Sequence, residues 1–269
     1  MAAASSNPAF RNSSAFNTAI KPDAIFTPSA SDLNEQFGRP SATPTDTGRM
    51  TYEDTIVKIV IAFGLLLVGA ALGWVVPVLA LPAAIVGLVL GLVNSFKKQP
   101  SRALILIYSA VEGIFVGGIS QIFATQFGQD IVPMAVFGTL GVVAVTLALF
   151  ASGKVRASKR ATKIFLVALL GYMAFSLVNL VLQLTGVVGG AQGIRSMEIG
   201  NTGIPVGAVI GIFVVLLAAY SLVMDFDMIK TGVQSGAPRI FGWQAAFGIV
   251  VTVVWLYLEI LRIIALFRE

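Results

Sequence analysis

Apolar positions along this chain fall into long continuous blocks, not into an alternating or sparse pattern. Seven such blocks lie at about 55–76, 78–96, 103–125, 131–151, 164–187, 204–229 and 240–267. Each approaches or exceeds the ~20 residues a helix needs to cross the hydrocarbon core of a bilayer. The pattern therefore predicts an all-α, polytopic membrane protein with seven transmembrane helices. Little but the Pro77 region separates the first two blocks, which predicts a tight hairpin, with Trp74 at a membrane interface. Gly113/Gly117 and Gly207/Gly211 have the small-xxx-small spacing that lets helix backbones approach closely. No internal repeat is visible, so an inverted-repeat transporter is not supported.

Residues 1–50 differ from the rest. They are rich in Ser, Thr, Asn, Pro and Ala and contain no apolar run; Pro8, Pro22, Pro28, Pro40 and Pro44 punctuate them. Such a segment has too little apolar surface to offset its ordering entropy. The sequence thus divides into a disordered cytoplasmic tail, 1–50, and a seven-helix transmembrane domain, 51–269. The tail lacks the basic start and short apolar core of a signal peptide.

Composition sharpens this picture by exclusion. Charged residues make up only 12% of the chain, about half the fraction usual in a soluble domain, and the mean hydropathy is +0.89. With no Cys and no His, there are no disulfides, thiolate or imidazole metal sites, cysteine nucleophiles or histidine switches. No phosphate-binding loop with the P-loop spacing occurs, and the last block has no Lys to form a retinal Schiff base. The reading is therefore not an enzyme, and no cofactor is expected.

The net charge of +5 reflects topology, not nucleic-acid binding. Ten basic residues lie in three alternate connections (Lys97, Lys98, Arg102; Lys154, Arg156, Lys159, Arg160, Lys163; Lys230, Arg239), against Arg195 alone in the others. The positive-inside rule then places the N-terminus in the cytoplasm and the C-terminus outside, in a cell (inner) membrane. Membrane lipid is the expected partner, along with other membrane proteins.

The carboxylates carry the candidate chemistry, because a charge at the bilayer centre costs at least ~2.5–3.5 kcal/mol and is kept for a reason. Glu112 lies in the third block, Asp225 and Asp227 close the sixth, and Glu259 and Arg262 lie in the seventh. Glu259 and Arg262, three residues apart, share a helix face and can pair. Asp227 is close enough to Lys230 to pair likewise. Asp225 and Glu112 have no basic residue within a turn to neutralise them, so Glu112 is either a hydrogen-bonded packing residue or part of an ion pathway. Asn179 and Gln183, four apart in the fifth block, are placed to hydrogen-bond between helices.

The stretches Met224-Asp225-Phe226-Asp227-Met228-Ile229-Lys230 and Leu256-Tyr257-Leu258-Glu259-Ile260-Leu261-Arg262 resemble the last two helices of the Bax inhibitor-1 (YccA-like) family, also called the transmembrane Bax inhibitor motif proteins. The resemblance covers about residues 52–269 and leaves out the tail. It implies a seven-helix fold with a central last helix and, as in bacterial members, a pH-sensitive calcium leak gated by a carboxylate pair. Carried onto this chain, that pair is Asp225 and Glu259, which are then also the candidate calcium ligands. Two departures stand out: Glu259 replaces the usual Asp, and Arg262 occupies a usually neutral position. The alternative is a non-conducting regulatory protein that binds other membrane proteins or a membrane protease. For the two acids to meet, the last helix must tilt, lie partly outside the bilayer, or break near Gly242 or Gly248. Straight helices would hold them at different depths.

Overall fold

The computed structural model describes residues 29–38, 47–189, 192–200 and 202–268. Among these are eight α-helices: α1 Ala30–Gly38, α2 Tyr52–Val75, α3 Ala80–Phe96, α4 Arg102–Phe127, α5 Ile131–Ala151, α6 Lys159–Leu184, α7 Val206–Gln234 and α8 Phe241–Leu266. Seven of them are long and apolar enough to cross a membrane. Large apolar side chains such as Leu67, Leu88, Phe137, Leu170 and Leu216 stay exposed, which suits a lipid solvent. The protein is a multi-pass membrane protein.

Local chemistry sets the helix ends. Thr51 caps α2 by accepting from the Asp54 backbone N–H at 3.2 Å, and Glu53 and Asp54 favour the positive end of the helix dipole. Pro77 opens a short 3-10 turn, Pro77–Leu79, that joins α2 to α3 as the expected tight hairpin. Ser158 caps α6. This places Lys159, Arg160 and Lys163 inside the helix, although hydropathy starts the fifth block only at 164. α7 likewise runs on to Gln234, beyond its apolar block. At 29 residues it is about 43 Å long, more than the hydrocarbon core requires.

α8 packs against α2, α4, α5 and α7 and is the most buried of the spans; α6 is the least. The last helix is therefore central. It is continuous from Phe241 to Leu266, with no break at Gly242 or Gly248. α2 and α4 form the tightest pair. A Cβ at Gly69, Gly73, Gly113 or Gly117 would collide with backbone atoms of the facing helix, so these glycines serve close helix packing.

Two observations bear on the expected tail, of which residues 1–28 and 39–46 lie outside the described residues. Ala30–Gly38 is helical, with its described side chains exposed. The compact membrane unit, moreover, begins before residue 51. The Met50 N–H donates to the Ala237 carbonyl at 2.7 Å, and the Arg239 N–H donates to the Gly48 carbonyl at 2.8 Å. Met50 is buried against Ile229, Ala245 and Ile249. One apolar side chain and two backbone bonds are too short a signal for hydropathy to register. The contact also places the start of α2 at the same end of the bundle as the α7–α8 turn.

Candidate functional site

Glu259 is the most heavily coordinated acid in the bundle. Its side chain is 1% exposed. Arg195 Nη1 donates to Oε1 at 3.1 Å, while Arg262 Nη1 and the Tyr172 hydroxyl donate to Oε2 at 2.8 and 2.6 Å. Arg195 also donates through Nη2 to the Tyr172 and Ser176 hydroxyls, and its guanidinium lies over the Tyr172 and Phe175 rings. The expected Glu259–Arg262 pair is present. The more deeply buried partner, Arg195, reaches in from the long α6–α7 connection and is 3% exposed, against 34% for Arg262.

That connection is held by Asn179. Its amide donates to the Gln192 carbonyl at 3.1 Å, and its oxygen accepts from the Ile194 N–H at 2.8 Å. Asn179 thus joins a helix to a loop, not helix to helix as expected. The short 3-10 turn Gly193–Ser196 begins with Gly193 at φ +64°, where a Cβ would strike Asn179 and Gln183. Gly207 leaves room for Arg195, and Gly211 for Ile263 of α8. The Gly207/Gly211 spacing therefore serves packing around the Glu259 cluster.

Asp225 sits elsewhere. It is half-buried, and its Oδ2 accepts a hydrogen bond from Thr252 Oγ1 at 2.8 Å. Thr252 Oγ1 lies 3.3 Å from Ser221 Oγ. Gly248 allows the close approach, because a Cβ there would stand 3.1 Å from Asp225 Oδ1. No cation pairs with Asp225 among the described residues.

The structure does not bring Asp225 and Glu259 together. The Thr252 that holds Asp225 precedes Glu259 by two turns of α8, about 10 Å of helix rise. Because α8 is unbroken, the acids stay at different depths, as straight helices require. A shared calcium site at this pair is likewise not formed. Both Glu259 oxygens are taken by donors, and no group of three or more acidic ligands that could hold a metal occurs among the described residues.

Glu112 occupies a third place. It is half-buried in a cleft with Gly87, Tyr108, Phe247 and Val251. Phe247 and Val251 adjoin Gly248 and Thr252 on α8. Glu112 and Asp225 therefore approach neighbouring faces of the central helix at one height. Asp227 is half-buried and makes no ion pair with Lys230 among the described residues.

Sequence reasoning missed two networks. One is Arg195, whose only signal was being the single basic residue in connections otherwise free of base. The other is Lys58, buried at the opposite end. It pairs with Asp54 and donates to the Arg239 carbonyl at 2.6 Å, and Arg239 in turn forks onto Asp54 at 2.6 and 2.8 Å. Lys58 went unnoticed because a lone Lys near the start of an apolar block reads as an interfacial residue.

Among curated proteins, none matches this chain. The family model described as Bax inhibitor 1 like matches residues 7–269, so the likeness runs through most of the tail as well as the seven spans. With that match and a central seventh helix, the chain belongs to the Bax inhibitor 1 like family.

Proposed function

We propose that this protein is a pH-sensitive cation leak of the cell membrane, with calcium as the ion and Asp225 as the group whose protonation gates it. The N-terminus faces the cytoplasm, on the side of the basic loops. One observation carries the reading: Asp225 is a half-buried carboxylate with no cationic partner among the described residues, bonded only to Thr252. A hydroxyl can donate to a carboxylate or accept from a carboxylic acid, so Thr252 serves both protonation states. Protonated Asp225 ties α7 to α8. Deprotonated, it offers with Thr252 and Ser221 a set of oxygens that suits a hard cation.

Glu259 takes a different part. Held by two guanidiniums and a phenol, it acts as a closure of the outer end, where Arg195 seats the α6–α7 connection. Gating by an Asp225–Glu259 pair is not part of this mechanism. The test is purified protein in liposomes loaded with a calcium dye and scanned across pH. Wild type should show flux that varies with pH, and Asp225→Asn should show flux without that variation. An unchanged profile in Asp225→Asn removes Asp225 as the sensor. No wild-type flux at any pH removes the leak and leaves the non-conducting, partner-binding role.

A further inference from the structure

We propose that the cleft between α2, α5, α7 and α8, at the basic end of the bundle, binds an anionic phospholipid. One acyl chain lies in the cleft, and the headgroup phosphate sits between Arg156 and Lys230. The cleft measures about 580 Å³, and its walls include Ile56, Phe63, Leu147, Phe226 and Val253. Its charged lining residues are Arg156 and Lys230, both at the rim. Neither forms an ion pair among the described residues. The Arg156 guanidinium is held 4.3 Å above the Phe150 ring, and that ring packs on Phe226 at 5.7 Å. The cation is therefore fixed at the mouth of the apolar cleft instead of ranging over the surface.

Two arguments select the ligand. An apolar cleft among transmembrane helices takes up hydrocarbon, and two unpaired cations at its mouth call for an anion on the same molecule. An anionic phospholipid carries both, whereas the ammonium of a zwitterionic headgroup would bring a third positive charge to the rim. Residues 152–163 add Lys154, Lys159, Arg160 and Lys163 with no acid, which draws anionic lipid to this leaflet. A neighbouring cleft lined by Leu67, Trp74, Val136 and Tyr257 measures about 430 Å³ and has no charged lining residue. That face offers lipid only apolar contact.

The experiment titrates detergent-solubilised full-length protein with phosphatidylglycerol or phosphatidylcholine of identical chains. Native mass spectrometry reads the bound lipid, and thermal unfolding reads stabilisation. Wild type should bind one phosphatidylglycerol on the order of tenfold more tightly than phosphatidylcholine. The double variant Arg156→Gln, Lys230→Gln should lose that preference. The double variant Lys154→Gln, Lys159→Gln removes the same charge from outside the cleft and should keep it. Leu147→Trp, which fills the cleft but leaves both cations, should weaken binding of phosphatidylglycerol. Equal binding of the two lipids by wild type overturns the proposal. So does loss of preference in the Lys154/Lys159 variant to the same extent, which would reduce the effect to loop charge.

Discussion

Glu259 is a buried acid on the central helix and Asp225 a half-buried acid against it, and their surroundings are opposite. Glu259 draws partners from three elements: Tyr172 of α6, Arg195 of the following connection, and Arg262 of its own helix. Among the described residues, Asp225 has one hydroxyl. A buried ion pair contributes little net energy when formed, but removing one member strands the other charge. A carboxylate bonded to a hydroxyl strands nothing when it takes up a proton. The contrast is between an acid neutralised by two guanidiniums and one that has no cationic partner among the described residues.

The largest expected effect follows from breaking the first arrangement. Glu259→Gln leaves the buried Arg195 guanidinium with neutral partners only, the amide oxygen and the Tyr172 and Ser176 hydroxyls. The cost should be on the order of 3–5 kcal/mol. At ~2–4 °C per kcal/mol, the melting temperature in detergent should fall on the order of 10 °C. Adding Arg195→Gln removes the stranded guanidinium and should recover at least half the loss. A silent Glu259→Gln would show that the cluster is not structural.

A smaller loss should come from the loop that delivers Arg195. Gly193→Ala places a Cβ in a left-handed conformation, at roughly 1–2 kcal/mol. It also pushes on Asn179, the residue that holds the 192–194 backbone. Thermal unfolding should show an intermediate decrease. If Gly193→Ala melts like wild type, the turn adjusts and does not position Arg195.

How far these two sites were legible in the sequence follows from the range of the interactions. The seven spans, the Pro77 hairpin and the glycine contacts depend on hydropathy and local spacing, which a chain displays directly. The Glu259–Arg262 pair was legible for the same reason, being three residues apart. Arg195 comes 64 residues before Glu259 in the chain, and only the packing of α7 on α8 brings it home. Asp225 was legible as an unpaired acid, but its Thr252 partner was not. Nor was the separation from Glu259, since resemblance suggested a pair and only the unbroken α8 keeps the two apart. The Met50 contact was invisible because three residues carry no periodicity.

Asp225→Asn should barely alter stability, by less than ~0.5 kcal/mol, because the amide keeps the shape and can still accept from Thr252. Its effect should fall on the pH profile of calcium flux. A large loss of melting temperature would place Asp225 with Glu259 as a structural acid and abolish the contrast.

The smallest effect is expected at a third carboxylate, which sharpens the comparison as a control. Asp130, in the α4–α5 turn, is 64% exposed and takes a forked pair from Arg268, including Nη1 to Oδ1 at 2.6 Å. The Arg268 hydrogen bond, opposed by slight desolvation, holds the Asp130 carboxyl below the usual carboxylate range. A lowered value means the stabilisation is fully present above the ordinary aspartate pKa of ~3.9 and fades only as pH falls through the lowered one. Between pH 5 and 8 the pair is therefore constant and supplies no pH dependence. Asp130→Asn should leave melting within error and the flux profile in that window unchanged. If it flattens the profile as Asp225→Asn is expected to, the pH response comes from helix-end charge, and titration of Asp225 is not its source.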